Sequence, residues 1–111
     1  MDKKLQKFSP LTEATYYIMI SLNTPLHGYG IMKKVEKLTK GRLKLASGTL
    51  YGAISTLVTN KLIVLVSEEK QSKGKKMYQI TDQGKKLLFY EISRLREMVN
   101  NGIDEVGDYY A

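Results

Sequence analysis

The sequence predicts a mainly α-helical protein with a small β-hairpin, arranged as a winged helix-turn-helix followed by one long C-terminal helix. Three observations predict this fold. Several segments have the apolar spacing of helices, two short apolar runs flank a polar loop, and the last stretch repeats apolar residues every three or four positions. At 111 residues the chain is long enough for one core. We expect the winged unit over residues 1–80 and the C-terminal helix with its tail over residues 81–111.

The first helix is predicted to begin at Ser9–Pro10, because serine caps helices and proline is tolerated in the first helical turn. The eight residues before it are expected to be loose. Apolar residues cover this helix nearly all round, so a second subunit is expected to bury one of its sides. The residues expected there are Tyr16, Tyr17 and Ile20.

The second helix is predicted from about Tyr29 to Lys40, after turn residues around Pro25. Lys33 and Lys37 fall on its outer face. Gly41 is placed where a left-handed residue ends many helices. The alternating run 42–45 favours a very short strand before the next helix.

The third helix is the stretch around which the rest of the chain is organised. Ser47 is a good candidate for its N-cap. Its apolar face is formed by Leu50, Ile54, Leu57 and Val58. The opposite face is small, uncharged and rich in hydroxyl groups, and comprises Gly48, Thr49, Gly52, Ser55, Thr56 and Thr59, with Tyr51 on its flank. In a basic protein such a face favours close contact with a groove of DNA.

Each residue of this helix also has a structural interpretation. Tyr51 either donates a hydrogen bond to a phosphate or packs on the flank of the helix. Gly52 either permits close approach to DNA or relieves crowding against another helix. Ser47 is more readily explained as a cap than as a DNA contact. Thr49 and Ser55 are candidates for base contacts, although hydroxyl groups are weak specifiers.

A β-hairpin wing is predicted from residues 62–66 and 76–80, with a polar loop between them. Lysines of the loop and second strand suit phosphate contacts, or are solvated charges. Thr81 is predicted to cap the final helix, with Asp82 in its first turn. The residues expected to contact DNA are Lys33, Lys37, Ser47, Gly48, Thr49, Tyr51, Gly52, Ser55, Lys73, Lys75 and Lys76.

The final helix, from Thr81 to about Asp108, carries an apolar stripe close to a coiled-coil seam. A three-helix core would be complete without it, so the stripe is predicted to pair with a second copy, which would present two reading helices to a palindrome. The alternative is a monomer in which this helix folds back on its own wing. The stripe residues expected at the dimer interface are Leu88, Ile92, Leu95, Val99, Ile103 and Val106.

Charge and composition narrow the class of function. The formal net charge is +7, and all 18 basic residues lie at or before Arg96, which favours a polyanionic partner or, more simply, solubility. There are no cysteines, no signal-peptide pattern and no run long enough to span a membrane, so we expect a cytoplasmic protein. His27, the only histidine, is expected to cap or pack at the second helix. No catalytic or metal-binding constellation is evident, and no cofactor is expected.

Three motifs resemble the PadR family of bacterial transcriptional regulators. They are PLHGYG at Pro25–Gly30, SGTLYGA at Ser47–Ala53 and YQITDQG at Tyr78–Gly84. The resemblance covers nearly the whole chain and is to the short subfamily, with a single C-terminal helix. It implies a homodimeric DNA-binding protein, usually a repressor, whose C-terminal helix forms the dimer interface.

The resemblance also implies relief of repression by a small hydrophobic or aromatic compound. The tryptophan-walled pocket of some members is in doubt because this chain has no tryptophan. Candidates for a different ligand pocket are Phe8, Phe89, Tyr90 and Met98, all of which also suit core packing. The alternative function is a winged-helix module for protein interaction or ligand sequestration, without specific DNA binding.

Overall fold

A computed structural model describes residues 3–69 and 75–108. Within these residues the helices are α1 (Lys3–Gln6), α2 (Glu13–Ser21), α3 (Gly28–Leu38), α4 (Ser47–Thr59) and α5 (Asp82–Val106). The strands are β1 (Leu26–His27), β2 (Ile63–Glu69) and β3 (Lys75–Ile80). The predicted fold, a winged helix-turn-helix followed by one long C-terminal helix, is therefore confirmed.

The three strands form one antiparallel sheet in the order β1-β3-β2. Leu26 pairs with Tyr78, and Ile63 pairs with Ile80, so the middle strand β3 joins the wing to the chain segment before α3. The register of β2 shifts between Leu65 and Ser67. Lys73, which we predicted to contact DNA, lies outside the described residues.

The core lies where α2, α3, α4 and the start of α5 meet the base of the sheet. Its most deeply buried apolar residues are Ile18, Met19, Leu22, Ile31, Val35, Leu50, Ile54, Leu57, Leu62, Ile63 and Leu87. The apolar face predicted for α4 is confirmed at Leu50, Ile54 and Leu57. Val58 is the exception, because its side chain remains 38% exposed.

The predicted start of the first long helix is wrong. That helix, α2, begins at Glu13, and the side chain of Thr12 caps it by accepting a hydrogen bond from the N–H of Thr15. Ser9 instead donates a hydrogen bond from its hydroxyl to Glu91. The residues before it are not loose within the described chain, because α1 buries Leu5 in the core.

The predicted strand at residues 42–45 is also wrong. Those residues form an irregular connection, and the third strand is β1, in a segment that we had assigned to a turn. Residues 42–45 have no place beside β3, because β2 lies on one of its edges and β1 on the other. The N–H groups of Arg42 and Leu43 donate instead to the carbonyl and the hydroxyl of Thr39. Gly41 does adopt the predicted left-handed conformation, with φ of +81°.

The start of α5 is built into the winged unit. As predicted, the hydroxyl of Thr81 caps the helix by accepting from the N–H of Gly84, and Asp82 lies in the first turn. A side chain at Gly84 would collide with the carbonyl group of Leu62. Leu87 and Leu88 are buried in the core of the same chain. The core is therefore not complete without α5, and Leu88 packs inside the protomer instead of at the predicted dimer interface.

Glu91 fixes this part of α5 to the segment before α2. Its carboxylate is buried, with only 1% of the residue exposed, and it accepts hydrogen bonds from the Ser9 hydroxyl at 2.8 Å and the Arg94 Nε at 2.7 Å, and a further one from the Leu11 N–H. Burial raises the pKa of Glu91, but the hydrogen bonds from Arg94, Leu11 and Ser9 outweigh it and hold the pKa below its ordinary value. The carboxylate is thus satisfied as an anion.

The second half of α5 extends away from this body. Every residue from Arg96 to Val106 is exposed, over a length of about 16 Å at 1.5 Å per residue. The radius of gyration is 15.6 Å, against about 13 Å for a compact chain of this length. The exposed stretch carries the apolar residues Met98, Val99, Ile103 and Val106.

Candidate nucleic-acid interface

The side chains on the solvent face of α4 are small, and this face is exposed. Ser47, Gly48, Thr49, Gly52 and Ser55 are all exposed. A methyl group added at Gly48 or Gly52 would meet no atom within 4 Å in the described ranges, so neither glycine relieves crowding against another described helix. This excludes the structural interpretation of Gly52. Because glycine in a helix costs roughly 0.5–1 kcal/mol relative to alanine, an external surface is the better explanation of both residues.

The glycine at position 52 provides a direct test. We expect Gly52→Ala to raise the free energy of unfolding by about 0.5–1 kcal/mol, because it fills open space and favours the helix. The same change should weaken DNA binding, because the added methyl group separates the helix from the groove. Urea denaturation and fluorescence anisotropy measure the two effects. Asn101→Ala, at an exposed site on α5 away from its apolar stripe, is the control, because it also favours the helix and should stabilise the protein without weakening DNA binding.

Tyr51 lies between α4 and the N-terminus of α3. Its side chain is 54% exposed, and its hydroxyl sits so close to Gly28 that a side chain at that position would overlap it. Within the described residues the hydroxyl makes no hydrogen bond. The ring therefore packs on the flank of the domain while the hydroxyl remains available to an external acceptor.

The N-termini of α3 and α4 have no side-chain caps. His27 precedes α3 and Ala46 precedes α4, and neither side chain accepts a hydrogen bond from the first turn. The predicted cap at Ser47 is therefore wrong, because Ser47 is the first residue of α4 and is exposed. His27, expected to cap or pack, is half-buried at the N-cap position of α3 and does not cap it through its side chain. By contrast, threonines cap both α2 and α5. The free N–H groups of α3 and α4, with the positive end of each helix dipole, suit phosphate groups.

Exposed lysines lie on α3 and on the wing, the two elements next to α4. Lys33 and Lys37 are exposed on α3, with the Lys33 ammonium 5.5 Å from the centre of the Tyr29 ring. Lys75 and Lys76 are exposed on β3 of the wing. A groove of about 320 Å³ between α4 and the wing brings Lys76 together with Tyr51, Ser55, Val58 and Leu65, among others. Of the residues predicted to contact DNA, Tyr51, Ser55 and Lys76 thus line one groove.

The predicted ligand residues do not share a pocket. Phe8 lines a cleft of about 430 Å³ with Lys4, Lys7 and Lys61. Phe89 lines a separate, mainly apolar cleft of about 300 Å³ with Ile20, Ile80, Leu88 and Ile92, among others. Tyr90 and Met98 line neither cleft. The two clefts separate Phe8 from Phe89, and a pocket formed by all four residues stays a prediction.

The predicted dimer residues fall into three groups. Tyr16 and Tyr17 are half-buried and pack edge to face, with ring centres 5.7 Å apart. Ile20, Ile92 and Leu95 are also half-buried. Farther along α5, Val99 is 58% exposed, Ile103 38% and Val106 87%. These positions, apart from Leu88, remain predictions.

Other kinds of site find no support in the described part of the chain. No group of three or more histidine, cysteine or carboxylate residues lies close enough there to hold a metal ion. None of the helices in the described ranges has the length and apolar character needed to cross a membrane. The buried Nδ1 of His27 has no hydrogen-bond partner among the described residues.

Comparison with known proteins identifies relatives of this chain. The model of the Transcriptional regulator PadR-like family matches residues 18–89. The Transcriptional regulator YqjI of Escherichia coli is 36% identical over 58 residues, which is 52% of this chain and 27% of that protein. The chain thus spans about a quarter of the length of the curated relatives it matches.

Two solved structures have the same fold. A transcriptional regulator from Clostridium thermocellum has a TM-score of 0.70 at 23% identity, covering 86% of this chain and 93% of the other. A PadR-like transcription factor from Bacteroides fragilis has a TM-score of 0.64 at 26% identity, covering 83% and 87%. The family model covers more than half of the chain, including α3, α4, the wing and the start of α5. The chain therefore belongs to the PadR-like family of transcriptional regulators.

Proposed function

We propose that this protein is a homodimeric, sequence-specific regulator that binds double-stranded DNA with α4 in the major groove. The single observation that carries the proposal is the open face of α4, where a methyl group added at Gly48 or Gly52 would meet no atom of the described residues within 4 Å. A major groove about 12 Å wide admits a helix, and the absence of bulky residues brings its backbone closer to the bases.

The electrostatics of the surface support DNA in preference to a protein partner. No acidic residue lies between Ser47 and Asn60, whereas lysines flank the helix on α3 and on the wing. The uncapped N-termini of α3 and α4 add positive dipole ends on the same side as Tyr51. The alternative, a winged-helix module for protein interaction or ligand sequestration, does not require such a concentration of anion-binding groups.

The exposed half of α5 supports a homodimer. It presents Val99, Ile103 and Val106 on one side of a helix with no part of its own described chain against it. A second copy supplies an identical stripe, and two-fold pairing buries both. Two α4 helices then face two half-sites of a palindromic operator.

Repression and its relief by a hydrophobic effector complete the proposal. The apolar cleft beside Phe89 lies between α2 and α5, where the dimerisation helix leaves the winged unit. A small hydrophobic compound in this cleft would contact Ile20 and Ile92, two of the predicted dimer residues, and so change the angle at which the two α5 helices cross. Such a change would lower the affinity for DNA by separating the half-site contacts.

The hydroxyl of Tyr51 tests the DNA interface. We expect Tyr51→Phe to weaken binding to a duplex from the protein's own upstream region by roughly tenfold per protomer, because a hydrogen bond to a charged phosphate is worth about 1.5 kcal/mol. Tyr51→Ala should weaken it further, since the ring also packs beside Gly28. Fluorescence anisotropy measures the affinity, and circular dichroism checks folding. If the phenylalanine variant bound like the original protein, flank packing would be the whole role of Tyr51.

Salt dependence tests the electrostatic part independently. If six phosphates are neutralised, the logarithm of the binding constant should fall with the logarithm of salt concentration with a slope of about −5. Lys33→Gln and Lys76→Gln should each reduce that slope by about 2, because the homodimer loses one phosphate contact in each protomer. Lys86→Gln, at an exposed site on α5, is the control. A flat salt response would contradict the proposed interface.

A further inference from the structure

We propose that the operator is read chiefly through the C5-methyl groups of thymine, by the methyl groups of Thr49 and Thr56. This inference rests on the proposed function, since it specifies how α4 distinguishes one DNA sequence from another. Hydrogen-bond readout of guanine or adenine would then contribute little, and the half-sites would be rich in A·T base pairs at the positions facing α4.

The first argument is the composition of α4. From Ser47 to Thr59 the helix contains no arginine, lysine, asparagine, glutamine, aspartate or glutamate. These are the residue types that make the strong, directional contacts to base edges, including the two-bond contacts of arginine to guanine and of asparagine or glutamine to adenine. The helix that faces the bases cannot make such contacts from any of its positions.

The arginines of the chain are placed elsewhere. Arg42 forms an ion pair with Glu13 at 2.7 Å, and Arg94 forms one with the buried Glu91 at 2.7 Å. Arg96 lies on the exposed half of α5. The residue type best suited to reading guanine is therefore absent from the described reading surface, whose cations are lysines on α3 and the wing.

The second argument is the arrangement of what α4 does carry. Thr49, Gly52 and Thr56 follow one another at spacings of three and four residues, so they lie along one side of the helix. All three are exposed, and neither threonine hydroxyl has a hydrogen-bond partner among the described residues. Thr49 and Thr56 each carry a methyl and a hydroxyl group, and Gly52, which has no side chain, lies between them. The gap at Gly52 permits the close approach that methyl-to-methyl contact needs.

The surface beside this row is also apolar. Val58 is 38% exposed and Leu65 is 42% exposed, and both line the groove between α4 and the wing. Aliphatic side chains exposed beside a DNA-facing helix would be costly in water but favourable against thymine methyl groups or deoxyribose. Because a hydroxyl group pairs with several bases, it specifies sequence weakly, whereas the thymine methyl group is present on only one base.

The test begins with DNA selected by the protein itself. A randomised duplex pool of about 30 base pairs can hold two half-sites one helical turn apart. The enriched duplex is then resynthesised with deoxyuridine in place of thymidine, which removes only the C5-methyl groups. We expect about fourfold weaker binding for each contacted methyl group, and at least tenfold weaker binding overall. Replacing guanine by 7-deazaguanine, which removes the N7 acceptor, should change affinity less than about threefold.

Two matched protein variants separate the methyl group from the hydroxyl group. Thr49→Val combined with Thr56→Val keeps the methyl groups, and Thr49→Ser combined with Thr56→Ser keeps the hydroxyl groups. These residues have similar helix propensities, so folding should be unaffected, and thermal melting checks this. The valine variant should bind the thymine duplex within about threefold of the original protein, whereas the serine variant should bind about tenfold or more weakly and no longer distinguish thymine from uracil.

The outcomes are distinguishable. Equal affinity for the thymine and uracil duplexes, or a larger loss from 7-deazaguanine, would overturn methyl readout while leaving sequence-specific binding intact. Loss of binding in the valine variant with retention in the serine variant would also overturn it, in favour of hydroxyl contacts. A pool from which no sequence is enriched would overturn the proposed function, and this inference with it.

Discussion

Replacing Val99 and Ile103 together by glutamate will convert the protein to a monomer and lower its affinity for operator DNA by about 100-fold or more. Both side chains lie on the half of α5 that extends from the body, where 58% and 38% of their surfaces are exposed. Glutamates on this stripe would place like charges against each other across the two-fold axis and would have to be desolvated. Separating the two winged units also removes the gain in affinity from binding two half-sites at once, which is roughly 10²–10⁴-fold.

Sedimentation equilibrium measures the association state, and anisotropy with an operator duplex measures the affinity. Asn100→Glu combined with Asn101→Glu is the matched control, because it adds the same two charges to the same exposed turns but off the apolar stripe. The control should remain dimeric. A stripe variant that also remained dimeric would assign the interface to another surface, such as the half-buried pair Tyr16 and Tyr17.

Replacing Glu91 by alanine is expected to lower the free energy of unfolding by about 3 kcal/mol, as for other buried ion pairs that lose one partner. The substitution leaves the hydroxyl of Ser9, the N–H of Leu11 and the guanidinium of Arg94 without their shared acceptor. Urea denaturation at pH 7 measures the loss, at a fixed protomer concentration because the proposed dimer would contribute to stability. Glu97→Ala, an exposed carboxylate on the same helix, should change stability by less than about 0.5 kcal/mol.

The contribution of Glu91 also has a definite pH dependence. Since its pKa in the folded protein lies below the ordinary value, the carboxylate stabilises the fold above the unfolded-state pKa of about 4.3. That stabilisation is lost as the pH falls through the lower, folded-state pKa. The difference in stability between the original protein and Glu91→Ala should therefore be full at pH 7 and shrink below about pH 4. A difference that stayed constant into acid would contradict the assigned ion pair.

The helical framework could be predicted from the sequence because apolar periodicity decides which face of each helix is buried. Leu50, Ile54 and Leu57 are buried as their spacing requires. Local cap signals were less reliable, because a serine can serve a distant partner. Ser9 bonds to Glu91, 82 positions away, while Thr12 caps α2. Likewise β1 contains only two residues and exists because β3 offers an unpaired edge, which no local pattern reveals.

For the site, the sequence predicted the uncharged face of α4 but not the relation between Tyr51 and Gly28. That contact depends on how α3 and α4 pack, and the sequence gives only their separate faces. Glu91 was missed as an anchor because a carboxylate on a long helix is usually solvated. Its spacing was the available signal, since it follows Leu87 by four positions and Leu88 by three and so falls on their buried side.

The tight packing of Gly84 against the carbonyl of Leu62 has a mechanical consequence. Because the first turn of α5 packs against Leu62 and Glu91 holds the helix to the segment before α2, the first half of α5 should move together with the winged unit. In the proposed dimer, the distance between the two α4 helices would therefore depend on the angle at which the two α5 helices cross. Operators whose half-sites are displaced by even one base pair, about 3.4 Å along the duplex, would not match the distance between the two α4 helices.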